Sequence, residues 1–535
     1  MEHIELCENA ATTLTPEEKA YKKRYQKGRR ELEHEFGKSM RYKPIRDLMA
    51  EESGEVVNDL KPVWLMSPLS VSDTLPLRGN LVDVVIFDEA SQVTLEEAIP
   101  TIFRAPQAIV VGDQMQLPPT NFFASKKSEE DEGLEFEEEG QWVQYDLNTN
   151  SLLSHSAKNL PSTMLGWHYR SRSESLISFS NRAFYNGRLL TVPDEALPAP
   201  KLKRISVEDL ATDDFERRAT EATSRPISFH FMEQGIYNNR RNRIEADYIA
   251  NLVRELLRQN ENQEQPYSIG VVAFSEAQQE AIEQALNRLA ESDREFRALL
   301  DSELEREVDN QFVGLLVKNL ENIQGDERDI IILSVCYGQN TAGKMYMNFG
   351  PINKSGGEKR LNVAFSRAKK NMCVVSSITG DRITNDYNDG ARCLKNYLTY
   401  AEAVSVGDAD NMAVVLQKLS RQESDDRTAD ASPLVEQISA ALQSKGFEVD
   451  RNVGQSHFQC DLGVRKSGDQ VYRLGILVDN AEYYRLDDVL ERDVMRPRLL
   501  EAFGWRIAFV LAKDWYEDRE RVLDRLLGEL EEAVQ

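Results

Sequence analysis

Two short unbroken apolar runs, Val84–Phe87 and residues 108–111 (AIVV), stand out from the polar chain around them. Both are too short for a helix and read as buried parallel strands. The first stops abruptly at Asp88-Glu89 and the second at Gly112-Asp113-Gln114. Similar runs recur at residues 226–231, 269–274 and 372–376, and two more flank the polar stretch 324–329 inside residues 313–334. Helical periodicity falls between them. Thr15-Pro16-Glu17-Glu18 is a capping box with proline at the first helical position and predicts a helix to about Phe36. Leu176, Phe179 and Phe184 share a helical face, Asn242 opens a helix over 244–257, and Gln278 and Gln279 lie on the helix after residues 269–274. Residues 61–75 read as a strand, a turn and a short helix. Strands alternating with helices predict an α/β fold with parallel sheets.

Residues 191–224 are rich in proline and then in acid, without clear periodicity, and read as a connector; residues 401–432 read as a polar linker. A separate pattern follows: a helix over 433–446, strands at 447–449, 458–464 and 472–478, a helix over 486–503 and a strand at 504–510. The expected domains are a helical segment 1–60, a first sheet domain 61–200, a connector 201–225, a second sheet domain 226–400, the linker 401–432 and a small α/β domain 433–535.

Composition narrows the class. At 535 residues, about three or four domains are expected. No apolar run approaches the ~18 residues of a membrane span, and the first residues lack a secretory leader. Five scattered cysteines without a C-x-x-C pair argue against a disulfide framework or a zinc site and place the chain in a reducing cytoplasm. A net charge of −25 argues against nucleic-acid binding. The acid is concentrated, however: residues 128–139 carry eight carboxylates and no base, the pattern of a solvated loop.

The strand ends carry the chemistry. In open α/β sheets ligands bind beyond the carboxyl ends of strands, so Asp88, Glu89 and Gln114 are expected in one crevice. An aspartate there suits Mg²⁺ held through water, and the adjacent glutamate suits polarising a water for attack on phosphate. Gly37-Lys38-Ser39 is not a phosphate loop: position 32 is Leu32 where G-x-x-x-x-G-K-[ST] needs glycine, and a helix precedes it instead of a strand.

In order, DEASQ, GDQMQLPPT, YRS…FYNG, QGDERD and NVAFSRAK resemble the motifs of superfamily 1B helicases, the branch of the nonsense-decay RNA helicase and its DNA-acting relatives, over about residues 60–380. The resemblance implies two RecA-like parallel-sheet domains, the first incomplete, around ATP and Mg²⁺. It gives Asp88 the metal, Glu89 the attacking water and Gln114 the γ-phosphate. Arg170 and Arg367 become transition-state arginines. Gly112, Asp113, Tyr169, Gln324, Gly325, Glu327 and Arg360 surround the nucleotide, and Glu327 would accept from a ribose hydroxyl or a neighbouring arginine. Arg360 and Arg367 are placed on one side of a helix. Phe274-Ser275 stands where the family has Pro-Tyr, which puts base stacking there in doubt. Ser67, Pro68, Ser70, Pro118, Pro119 and Thr120 would meet single-stranded nucleic acid, with DNA favoured over RNA. The chain is expected to be the C-terminal part of a longer ATP-dependent helicase or translocase, or a binding subunit without its own ATPase, with a second chain as one source of the P-loop.

The C-terminal pattern resembles the small restriction-endonuclease fold of Vsr-like domains. Asp461 and Asp479 are the candidate metal ligands, with Glu436 as an alternative third acid. Leu477 stands where the family pattern has glutamate, and Tyr483-Tyr484 stands where it has Tyr-His, so a cleaving domain and a degenerate binding domain both remain open.

Overall fold

In the computed structural model Val84–Phe87 (β1) and Gln107–Val110 (β2) pair in parallel, with Val84 opposite Gln107 and Phe87 opposite Val110. The structure describes residues 15–119, 134–138, 141–145, 151–197, 201–354, 356–419 and 432–532. The chain divides into two compact units, residues 1–163 and 164–535.

In the first unit, the helix Pro16–Phe36 opens with both halves of its capping box: the Glu18 N–H donates to Thr15 Oγ1 and the Thr15 N–H donates to Glu18 Oε2. It lies so close to the start of helix Ser53–Leu60 that a Cβ on Gly28 would sit 2.2 Å from the Glu52 carbonyl oxygen. β1 and β2 were expected to be buried on both faces, and they are not. Among the described residues their sheet has two strands. Phe87, Ala98 and Leu152 fill the core on one face, while Ile86 is 62% and Ile109 44% exposed. Residues 61–66, read as a strand, form none, and Ser67 instead caps the short helix Pro68–Thr74. Part of the acidic stretch read as a solvated loop is paired: Leu134–Glu138 (β3) pairs antiparallel with Gln141–Tyr145 (β4), while residues 128–133 and 139 lie outside the described residues.

The second unit begins with Trp167–His168 (β5), the helix Ser175–Phe184 and Leu190–Thr191 (β6), which pairs in parallel with β5. Ile205–Val207 (β7) and helix Phe215–Thr223 follow, so residues 201–225 are not a connector. β7 alternates Ile205 and Val207 inward, and Ala219 and Ala222 let the helix pack closely. Ile227–Met232 (β8) and Ile269–Ala273 (β9) lead to the small hairpin of Glu307–Val308 (β10) and Gln311–Phe312 (β11). Leu316–Asn319 (β12), Arg328–Ser334 (β13) and Ala368–Ser376 (β14) complete a six-stranded, wholly parallel sheet in the order β12-β9-β13-β14-β8-β7. The two strands around the QGDERD stretch are therefore not a hairpin, because β9 lies between them. β14, the last of these strands in sequence, lies inside the sheet, with β13 on one side and β8 on the other. Residues 389–419 are helical, so the linker reading holds at most for residues 420–431, which lie outside the described residues.

The C-terminal domain has helix Pro433–Ser444 and a mixed sheet of Glu448–Val453 (β15), Cys460–Arg465 (β16), Leu474–Val478 (β17) and Ile507–Val510 (β18) in sequential order. The last pair alone is parallel. The expected helix over 486–503 passes through a π-turn at Glu491–Met495 before continuing as Arg496–Ala502. Residues 164–197 were grouped with the first sheet domain, yet Trp167, Leu190 and Val192 share a core with Phe458, Leu500 and Trp505.

Among the described residues no helix is long and apolar enough to cross a membrane.

Candidate nucleotide site

The strand ends of β1 and β2 are locked side by side. The Val111 N–H donates to the Phe87 carbonyl at 2.8 Å, and the Ala90 N–H returns to the Val111 carbonyl at 2.9 Å. Gly112 permits this approach: a Cβ there would meet Ala90 N at 3.1 Å and Ser91 N at 3.2 Å. These bonds bring the loop after Asp88-Glu89 alongside the loop that begins at Gly112. Glu89 adopts a left-handed conformation (φ 51°), sparse for a non-glycine residue and often found where function imposes it. Asp88 accepts the Glu89 N–H at 2.9 Å on Oδ1 and stays exposed. Such a carboxylate fits Mg²⁺ held through water. Asp113 organises its own loop, accepting from Met115 N at 2.9 Å and Gln116 Nε2 at 3.1 Å.

In the second unit Arg170, Glu327 and Lys369 form one cluster. Arg170 Nε donates to Glu327 Oε2 at 2.6 Å, and Lys369 Nζ reaches Glu327 Oε1 at 2.8 Å. Burial works against the Glu327 charge, but the Lys369 ammonium and the Arg170 guanidinium outweigh it and hold the carboxyl below its ordinary range. A local turn presents Arg170. The Ser171 N–H donates to His168 Nε2 at 3.3 Å, Ser171 Oγ donates to the Ala368 carbonyl at 3.3 Å, and the Arg172 N–H donates to the Lys369 carbonyl at 2.7 Å. Burial, with Arg170 nearby, lowers His168 to about 4, so it is neutral and free to accept there. Tyr169, beside it, is 68% exposed. Three motif segments distant in sequence therefore meet at one ion cluster.

Other expected residues take more structural positions. The helix Gly357–Phe365 ends before Arg367, so Arg360 and Arg367 do not share a helical face. Arg367 is 3% exposed and folds back to donate from Nε to the Val363 carbonyl at 2.9 Å. Arg360 pairs with Glu321 at 2.6 Å. Gly325 has φ 86° and open space where a Cβ would stand, so conformation, not crowding, requires glycine there. Gln324 lies half-buried in the same loop. Phe274 is buried and Ser275 caps the next helix, so neither presents a ring for stacking. Gln278 pins Asn242 and Ser334. Ser67 Oγ accepts the Ser70 N–H at 3.2 Å behind Pro68. Pro118 and Pro119 are half-buried, and Thr120 lies outside the described residues. Gly37-Lys38-Ser39 closes a helix, with Lys38 paired to Glu35.

Sequence reading missed Lys369 as the second cation on Glu327, although it lies within the quoted motif. It also missed the buried Glu245, which accepts from Cys336 N at 2.8 Å and Ser377 Oγ at 2.6 Å at the tip of the six-stranded sheet.

The C-terminal carboxylates are engaged by the chain's own donors. Asp461 accepts the Val478 N–H at 2.8 Å and the Asn480 side-chain amide at 2.6 Å on separate oxygens. Asp479 accepts the Ala512 N–H at 2.5 Å and the Tyr484 hydroxyl at 2.9 Å, again on separate oxygens. Glu436 pairs with Arg451 at 3.4 Å, and Leu477 adds no donor. Among the described residues no group of three or more His, Cys, Asp or Glu side chains is arranged to hold a metal ion.

Fold and motif geometry define a helicase body with a restriction-endonuclease-like domain behind it. Models described as AAA domain match residues 4–123 and 148–379, and one described as REase_MTES_1575 matches residues 435–530. The chain is 31% identical over 470 residues to an uncharacterized ATP-dependent helicase, MG140, of Mycoplasma genitalium, covering 86% of this chain and 37% of the relative. It is 26% identical over 298 residues to the helicase sen1 of Schizosaccharomyces pombe, covering 55% of this chain and 14% of the relative. It is also 26% identical over 354 residues to the DNA replication ATP-dependent helicase/nuclease DNA2 of Xenopus laevis, covering 63% and 28%. The relatives to which the chain is similar are thus ATP-dependent helicases, among them superfamily 1 helicases of the Sen1 and DNA2 type. It spans 37% of the length of the Mycoplasma genitalium relative and 39% of a 31% identical homologue from Mycoplasma pneumoniae.

Proposed function

We propose that this chain is the motor portion of an ATP-dependent helicase or translocase that acts on single-stranded nucleic acid, DNA in preference to RNA. The observation that carries the reading is the Arg170–Glu327–Lys369 cluster, which gathers three helicase motifs and leaves Tyr169 exposed beside them. In this reading Asp88 would hold Mg²⁺, Glu89 would take the proton of the attacking water, and Gln114 would sense the γ-phosphate. Bound Mg²⁺ supplies charge neutralisation at the phosphates. Arg170 offers a planar, permanently charged donor to the phosphate oxygens, and Arg367, drawn in against the Val363 carbonyl, would join it only by turning outward. Gly112, Asp113, Gln324, Gly325, Glu327 and Arg360 shape the loops around the nucleotide. Ser67, Pro68, Ser70, Pro118, Pro119 and Thr120 provide contacts to the nucleic-acid backbone, which read no sequence. A polypeptide carrying G-x-x-x-x-G-K-[ST] completes the phosphate cradle and the uncovered face of β1 and β2.

ATP hydrolysis by the chain, alone and mixed with such a polypeptide, in the presence of single-stranded DNA or RNA, tests this reading. Stimulated turnover lost in Glu89→Gln and Arg170→Ala supports it. Turnover indifferent to both substitutions sinks it.

A second reading, a nucleic-acid-binding subunit without its own ATPase, is favoured by the Gly37-Lys38-Ser39 segment serving as a helix end. Single-strand binding with no turnover in any mixture would select it.

A further inference from the structure

The segment that carries Arg170 is held from two sides. On one side it hooks to the first residues of β14 through Ser171 and Arg172. On the other the C-terminal domain grips it at several points between residues 167 and 197. Arg172 Nη1 donates to the Ala502 carbonyl at 2.9 Å, and its guanidinium lies 4.7 Å from the centre of the Phe503 ring. Trp167 meets Phe458 edge-on at 5.1 Å. The Gln455 N–H donates to the Glu174 carboxyl at 3.0 Å, and Trp505 Nε1 donates to the Pro193 carbonyl at 2.8 Å. These contacts bury Trp505, Phe458 and Glu174. A buried aromatic seam of this kind fixes geometry, because close-packed interiors transmit displacement instead of absorbing it.

We propose that the restriction-endonuclease-like domain is a brace for Arg170: by gripping residues 167–197 it sets the position of that guanidinium against Glu327, and Arg172 and Trp505 are positioning residues for it. The consequence for turnover rests on the reading that Arg170 serves the nucleotide.

The test is amide hydrogen exchange on the full chain without nucleotide. It compares the parent with Arg172→Ala, Arg172→Lys and Trp505→Phe. Arg172 is exposed and Trp505→Phe keeps a ring in place, so the domain core is retained; unchanged exchange in β16 and β17 verifies this in each sample. In Arg172→Ala and Trp505→Phe, exchange is expected to rise about fivefold or more in residues 167–174 and also across the seam in residues 325–329. Arg172→Lys keeps a cation over Phe503 and a donor for Ala502, and is expected to restore protection. A rise confined to residues 167–174, or no rise in either variant, overturns the brace. The two readings fail separately: a coupled rise alongside ATP turnover insensitive to Arg170→Ala would defeat the role of Arg170 and leave the brace standing.

Discussion

Arg170 and Glu327 stand 157 residues apart in the chain and 2.6 Å apart in space. Their contact joins the segment after β5 to the loop before β13, and Lys369 at the start of β14 completes the charge balance. Both side chains remain more than a third exposed. A pair so accessible contributes little to stability, so its value lies in poise: the guanidinium is oriented yet free to exchange its carboxylate for another anion.

Glu327→Gln should therefore cost about 1 kcal/mol or less in thermal unfolding. It should weaken the hold on Arg170 all the same. Nucleotide binding measured at low and high salt would separate these effects, with the variant losing affinity at both while its melting temperature changes little.

The seam around Glu174 should depend on pH. Burial, with the Asp194 carboxyl beside it, pushes Glu174 from 4.5 up to about 8, and burial pushes Asp194 up to about 6. Tyr400 and Thr191 flank the pair, and Thr191 donates to Glu174. The folded chain thus holds protons that the unfolded chain releases. Stability is fully present below pH 4.5 and falls as pH rises through about 8. Glu174→Gln should flatten that decline when melting is followed between pH 5 and pH 8.5.

Asp461→Ala should destabilise the C-terminal domain by about 1–3 kcal/mol, because it strands the Val478 N–H and the Asn480 amide. Mn²⁺ or Mg²⁺ should leave the melting temperature of the parent unchanged at this domain, and calorimetric titration should show no Asp461-dependent binding. A metal-induced shift abolished by Asp461→Ala would contradict the closed carboxylate pair.

Arg104→Met should loosen the first unit. The Arg104 side chain is 3% exposed and donates to the carbonyls of Leu75, Pro76 and Pro100. Removing it leaves buried carbonyls unpaired at about 1–3 kcal/mol each. Hydrogen exchange near residues 75–77 should rise more than exchange in β1.

The parallel strands and their polar ends were legible because a continuous apolar run stopped by charge is a local signal, as at Val84–Phe87 before Asp88. The capping box at Thr15 was equally local. Arg367 was misplaced because the apolar residues of Leu361 to Phe365 continue a helical rhythm into Ser366, and nothing nearby marks where the helix yields to β14. The grip of the C-terminal domain on residues 167–197 left no local trace at all. Trp505 and Pro193 are 312 positions apart, and each looks like an ordinary core or turn residue in its own neighbourhood. The buried acids were also unreadable, since Glu174 and Glu245 owe their surroundings to distant segments. Lys369 was visible as a letter in a motif, but its charge gained meaning only beside Glu327.

The half-covered sheet of β1 and β2 has a cellular consequence. Among the described residues Ile86 and Ile109 are open to water on a sheet of two strands, a short, flat template for another extended segment. An exposed apolar strand face of this kind favours aggregation until it is covered. The yield of well-behaved protein then becomes a question of co-expression and timing as much as of sequence.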